Sequence, residues 1–147
     1  MAIFTLDTSC MVAAVCAWHE HHAAALGEIE ARLNRGERLA VAAPALVETY
    51  AVLTRLPPPH RLAPSTAWTL LEANFVGEVT TVALNGAAYR RLLRRLAKEG
   101  VAGGRTYDAV IGECARQAGA DALLTFDQRH FDPAPDAVSI VEPHRMG

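Results

Sequence analysis

The chain has little cysteine, a single lysine, no glycine-rich phosphate loop and no long apolar run, and each shortage removes a class of protein. Its three cysteines, Cys10, Cys16 and Cys114, form neither a CxxC pair nor an even framework. They sit in apolar helical stretches and read as buried thiols of a reducing compartment, which excludes a disulfide-stapled secreted domain. No apolar stretch reaches the roughly 20 residues that a membrane-spanning helix needs. Residues 1–6 are mostly apolar, but no basic segment precedes them and Asp7 stops the run, unlike a secretory signal. A cytoplasmic protein without membrane association is the expectation. Gly103-Gly104 precedes a helical segment without GxGxxG or Walker spacing, so nucleotide cofactors are disfavoured. The net charge of −2 gives no global basic field. Any contact with nucleic acid must then come from a local patch.

What the chain does have is enough apolar material for one complete core. At 147 residues and 51% hydrophobic, residues 1–147 read as a single domain. Strand and helix signals alternate throughout, with no repeat, linker or low-complexity tract. Residues 3–6, 39–43, 79–84, 122–126 and 138–141 read as five short buried strands. Between them, residues 8–17 are apolar nearly all round and suggest a buried or interface helix, with Met11, Val12, Val15 and Trp18 as core. Residues 21–35 place Ala25, Leu26, Ile29 and Leu33 on one face, and Gly36 ends that helix. Pro44 suits the first position of a helix reaching Arg55, and Pro57-Pro58-Pro59 is a loop. Ser65, Asn85 and Thr106 are expected helix caps. Helices between short apolar strands imply parallel crossover units. The expected fold is α/β: a three-layer sandwich with a central, mostly parallel five-stranded sheet flanked by helices.

Four carboxylates stand at the edges of these elements. Asp7 ends the first strand in Leu6-Asp7-Thr8-Ser9, and Glu48 interrupts the helical Leu46-Val47-Glu48-Thr49-Tyr50. Asp108 opens a helix in Tyr107-Asp108-Ala109, and Asp127 follows the strand-like Leu124-Thr125-Phe126. Asp7 and Asp127 lie just past carboxyl ends of strands, where open α/β sheets bind ligands. If the fold gathers all four, each close pair repels by about 4 kcal/mol at an effective dielectric of about 20. A divalent cation relieves that repulsion, and oxygen-only ligands favour Mg²⁺ or Mn²⁺. Hydrolysis of a phosphodiester needs a nucleophile made from water and neutralisation of transition-state charge, both of which such an ion supplies. Singly, each acid has a plainer reading: Asp7 as a helix cap, Asp108 as a first-turn acid, Asp127 as a turn former, Glu48 as a solvated helix residue.

Taken in order, the four motifs resemble the PIN-domain nucleases along essentially the whole chain. Glu48-Thr49-Tyr50-Ala51-Val52-Leu53-Thr54-Arg55-Leu56-Pro57 and Phe126-Asp127-Gln128-Arg129-His130-Phe131 look more narrowly like the VapC toxins of bacterial toxin–antitoxin pairs. The resemblance implies an Mg²⁺- or Mn²⁺-dependent endoribonuclease, usually a homodimer, silenced by a cognate antitoxin that occludes the acidic site. It also implies 5′-phosphate and 3′-hydroxyl products. Asp7, Glu48, Asp108 and Asp127 match the family's acidic quartet; many relatives have Asn at the position of Asp127. Thr8 or Ser9 and Thr125 match the hydroxyls lining the site. Asp7 and Asp108 are the expected direct metal ligands. Glu48 and Asp127 either ligate or orient water.

Other features carry competing readings. His19 and His22 share a helical face, yet no cysteine or distant histidine completes a zinc set, so they read as a solvated helix start. Arg90, Arg91, Arg94, Arg95 and Lys98 form a basic stripe opposite Tyr89, Leu92, Leu93 and Leu96. It either solubilises the helix or holds RNA backbone or an acidic stretch of antitoxin. Arg55, Arg61, Arg105 and Arg129 are further basic candidates, the last two closest in sequence to the quartet. An aspartyl-phosphate enzyme would also place an acid after the first strand. It wants a second acid two residues later, where this chain has Ser9, and a late lysine, where the only lysine is Lys98. A housekeeping RNA-processing nuclease, or a non-catalytic binding module that had lost its acids, are the remaining alternatives.

Overall fold

Short apolar segments without alternating polarity must be covered on both faces. The strands at residues 3–6, 38–42 and 122–124 are. Those at 80–82 and 139–141, at the two edges of the sheet, are exposed or half-buried, so the expectation of five buried strands fails there. A computed structural model describes residues 2–144; Met1, which starts the opening run, and residues 145–147 lie outside the described residues. The elements run β1 (Ile3–Leu6), α1 (Thr8–Val15), α2 (His22–Asn34), β2 (Arg38–Ala42), α3 (Ala43–Arg55), α4 (Pro64–Leu71), a π-helical turn (Glu72–Val76), β3 (Thr80–Val82), α5 (Gly86–Glu99), α6 (Arg105–Gln117), β4 (Ala122–Leu124), a 3₁₀ turn (Gln128–Phe131) and β5 (Ser139–Val141). The strands form one sheet in the order β3-β2-β1-β4-β5, and every pairing is parallel. The expected α/β architecture with five strands is therefore the observed one.

Two steps of the chain, β1 to β2 and β2 to β3, move one way across the sheet; the next, β3 to β4, returns past β1. Right-handed crossovers then put α5 and α6 on the face opposite the earlier helices. Direction reverses between β1 and β4, which pair through Phe4–Ala122, Thr5–Leu123 and Leu6–Leu124. That pair is the topological switch point, and the crevice beyond its carboxyl ends is the natural binding site. The core beneath it is fully buried at Phe4, Leu6, Met11, Leu53, Leu123 and Leu124.

Several local expectations need correction. The strand expected at 122–126 stops at Leu124, because Thr125, Phe126 and Asp127 turn away to build the crevice. The helix expected at 8–17 ends at Val15, so Trp18 falls in the following turn and is 49% exposed instead of core. Helix α1 is covered by α2 and α3 of its own chain, so most of its apolar surface is used within the fold. The exposed apolar side chains are instead Val47 and Tyr50 on α3, Trp68 on α4, Leu93 on α5, Leu33 on α2 and Tyr107 on α6. Ser65 does not cap α4: Pro64, preset for the first turn, starts the helix two residues earlier, with Ala63 at the cap. Thr106 likewise lies inside α6, which starts at Arg105 straight after Gly103 turns with φ 65°. Asn85 does cap α5, its Oδ1 accepting from Ala88 N at 2.8 Å.

Candidate active site

The peptide after β1 bends into α1, and this bend sets the first carboxylate. Asp7 occupies the N-cap of α1 and continues the sheet, its N–H donating to Leu124 O at 3.0 Å. Its side chain is 4% exposed. Oδ1 accepts from Ser9 Oγ at 2.6 Å and from Cys10 N at 3.0 Å. Oδ2 accepts from Thr125 Oγ1 at 2.5 Å. The plain cap reading of Asp7 therefore holds, and the same residue lines the crevice. Thr125, itself fully buried, also accepts from Asp127 N at 2.8 Å, and Phe126 N donates to Ser9 Oγ at 3.2 Å. This web of hydroxyls ties the end of β1 to the end of β4.

The remaining acids reach the same crevice from three other elements. Glu48 comes from α3, Asp108 from the first turn of α6, and Asp127 from the loop after β4. With Asp7 they line one cleft of ≈ 970 Å³, together with Thr8, Ser9, His19, His21, Arg55, Arg105 and His130. The acids feel one another. Burial pushes the Asp7 carboxyl up to about 6; the bonds from Ser9, Thr125 and Cys10 oppose that rise, and the charge of Asp127 adds to it. Asp108 is also raised, first by burial and then by the charges of Glu48 and Asp127, while His130 and Arg105 pull it back. His130 Nδ1 stands 3.4 Å from Asp108 Oδ2. Among the described residues neither Glu48 nor Asp127 has an ion-pair partner.

The donor set suits a hard cation. All four acids offer oxygen, and a lone pair of Asp7 Oδ2 remains after its single bond, whereas Oδ1 is filled by two donors. Thr8 Oγ1 is the one buried side-chain oxygen without a partner among the described residues, and Thr8 lines the cleft. No three His, Cys, Asp or Glu side chains among the described residues stand close enough to hold a metal ion by themselves. Mg²⁺ in this cleft would take one or two carboxylates and complete its shell with waters and substrate phosphate.

The basic candidates divide. Arg55 and Arg105 line the acidic cleft. Arg105 and two members of the α5 stripe, Arg91 and Arg95, border a neighbouring cavity of ≈ 570 Å³ that shares Asp108 and His130 with the first. Arg95 is engaged by Glu99 and Glu113. Arg90, Arg94 and Lys98 are exposed and line neither cavity, as is Arg129, which borders only a small recess beside Glu142. Arg61 donates to Leu56 O. Sequence reasoning missed His130, Glu20 and His21 as cleft residues. His130, three residues after Asp127, carried the one usable signal, because a 3₁₀ turn brings such a neighbour back beside the acid it follows.

A crevice of four acids at the switch point of a 3-2-1-4-5 parallel sheet can be matched against known proteins. The PIN domain profile covers residues 4–135. The chain belongs to the PIN-domain family. Within that family it is 47% identical over 126 residues to Ribonuclease VapC40 of Mycobacterium tuberculosis, covering 84% of this chain and 85% of that protein. Among solved structures, VapBC2 from Rickettsia felis, bound to a DNA fragment from its promoter, superposes with a TM-score of 0.69 at 18% identity, covering 97% and 99% of the two chains. The toxin VapC20 of Mycobacterium tuberculosis, described as cleaving the sarcin–ricin loop, superposes at 0.68 with 18% identity, covering 92% and 98%. The two structural likenesses establish the PIN fold. The closer likeness to VapC40 places this PIN protein in the VapC group. No helix among its described residues is long and apolar enough to cross a membrane.

Proposed function

We propose that this PIN protein acts as one domain of 147 residues and is a divalent-cation-dependent endoribonuclease, the toxin of a toxin–antitoxin pair. The observation that carries the reading is the meeting of Asp7, Glu48, Asp108 and Asp127 in one cleft, in a chain 47% identical to a named ribonuclease. Asp7 and Asp108 would hold Mg²⁺, for which Mn²⁺ would substitute, with Thr8 and Ser9 beside them. When bound, the ion would supply Lewis acidity and neutralise phosphate charge. The protein's own groups do the rest. Arg55 and Arg105 draw the RNA phosphate into an otherwise acidic cleft. Thr125 and Ser9 hold Asp7 in place while it is charged. Glu48 and Asp127, without ion-pair partners among the described residues, orient the attacking water and accept its proton. His130 opposes, without cancelling, the rise that burial imposes on the Asp108 carboxyl.

The partners are RNA and a cognate antitoxin that covers the acidic cleft, and the compartment is the cytoplasm. A homodimer would draw on the exposed apolar side chains of α3 and α4. The test is direct. Purified protein should cut a structured RNA with Mg²⁺ or Mn²⁺ and not in EDTA, while Asp108→Asn should lower the rate at least about a hundredfold, as loss of a metal ligand does. Cleavage that persists in EDTA removes the metal, and growth arrest that survives Asp7→Asn with Asp108→Asn removes the nuclease.

A further inference from the structure

The rim of the cleft holds a feature that the acids do not explain. Five rings follow one another along it. Phe126 and His21 are stacked, with centroids 4.4 Å apart and planes within 15°. His21 and His19 follow at 5.7 Å, then His19 and Trp18 at 5.8 Å, both tilted. Trp18 and His60 close the row, stacked at 4.1 Å. Phe126, His21 and His19 line the same cleft as Asp7 and Asp108, so the row begins beside the carboxylates and runs outward. Trp18 is half exposed, and the His21 side chain is 45% exposed.

The row is held in place by its backbone. His22 Nδ1 hydrogen bonds with Ala13 O at 2.8 Å, anchoring the turn on α1, and His21 N–H donates to His19 Nδ1 at 3.0 Å. Phe126 packs against the core, whereas Trp18 is half exposed and His19, His21 and His60 are only partly buried. Burial, and next the neighbouring His21, hold His19 below the ordinary histidine range, so its ring stacks in the neutral form.

We propose that this row is a stacking platform for unpaired bases of the RNA strand on one side of the phosphate in the cleft. The proposal rests on the ribonuclease reading and adds the surface that would hold the strand beside the cleft. Unstacked bases splay onto Trp, Phe and His faces, which bases in a duplex cannot reach. Such stacking tolerates any base, because every base has a π-face. A protein partner could also cover exposed rings. The continuity of this row with the carboxylates favours the strand that the carboxylates engage.

Replacing Trp68 by Phe leaves Trp18 as the sole tryptophan, since the chain has two. In EDTA, a short single-stranded RNA should quench Trp18 fluorescence, and the same sequence paired in a duplex should not. Trp18→Ala should weaken binding about tenfold, as losing one stacked base does, and Trp18→Phe should restore it. In Mg²⁺, the Ala variant should raise KM by a similar factor and leave kcat unchanged. Absence of quenching, equal quenching by the duplex, or an unchanged affinity in Trp18→Ala overturns the platform. So does a Trp18→Ala effect confined to antitoxin binding. Quenching by RNA that the unsubstituted protein never cuts would support the platform while removing the ribonuclease reading, so the two failures are distinct.

Discussion

Asp7 would have to be ionised to hold a cation, yet it is almost wholly buried. Three donors offset part of that cost, and the carboxyl still titrates near 6 instead of below 4. A raised folded pKa means that the folded chain holds this proton more tightly than the unfolded chain. The stabilisation is present below about pH 4 and is lost as pH rises through 6. Above that range the buried charge costs the metal-free fold about 3 kcal/mol. Asp7→Asn should therefore unfold at a higher temperature at pH 7.5 without divalent ions, by about 1–3 kcal/mol after allowing for poorer bonds to Thr125. The gap should close on acidification toward pH 4. Thermal unfolding of both proteins across that range is the measurement, and an Asn variant less stable at neutral pH would contradict it.

Helix α5 shows how an element can read correctly from sequence while its surface does not. Asn85 caps it as expected, by its bond to Ala88 N, and Gly100 ends it with a left-handed φ of 70°. Loss of the cap in Asn85→Ala should cost about 1 kcal/mol, read as a lower denaturant midpoint with an unchanged slope. RNA cleavage should stay intact, because Asn85 lies in neither cavity. Periodicity put Arg90, Arg91, Arg94 and Arg95 on one stripe, but only Arg91 and Arg95 border a cavity, and Arg95 is already paired. A stripe on one helix says which residues share a face. Whether that face meets a groove depends on α6 and the loop at 130–136.

On the scale of the whole molecule, four elements from both ends of the chain commit like charges to one crevice, so the metal-free fold is under electrostatic load. Divalent cation should relieve it. At a hundredfold excess over its dissociation constant, Mg²⁺ should add about 2.7 kcal/mol, several degrees in Tm for a chain of this size. NaCl at equal ionic strength should not reproduce this, and Asp7→Asn with Asp108→Asn should abolish it. A Tm that ignores Mg²⁺ would remove the cation from the fold. By itself the sequence determined the element types, the α/β class and the four acids, because strand and helix signals and strand-end positions are local patterns that need no partner. Tertiary structure alone decided that Ser9 and Thr125 clamp Asp7, that His130 faces Asp108, that Trp18 lies outside the core and that five rings line the rim. Those are contacts between segments up to 118 residues apart, and chain geometry at one position carries no information about which distant side chain will face it.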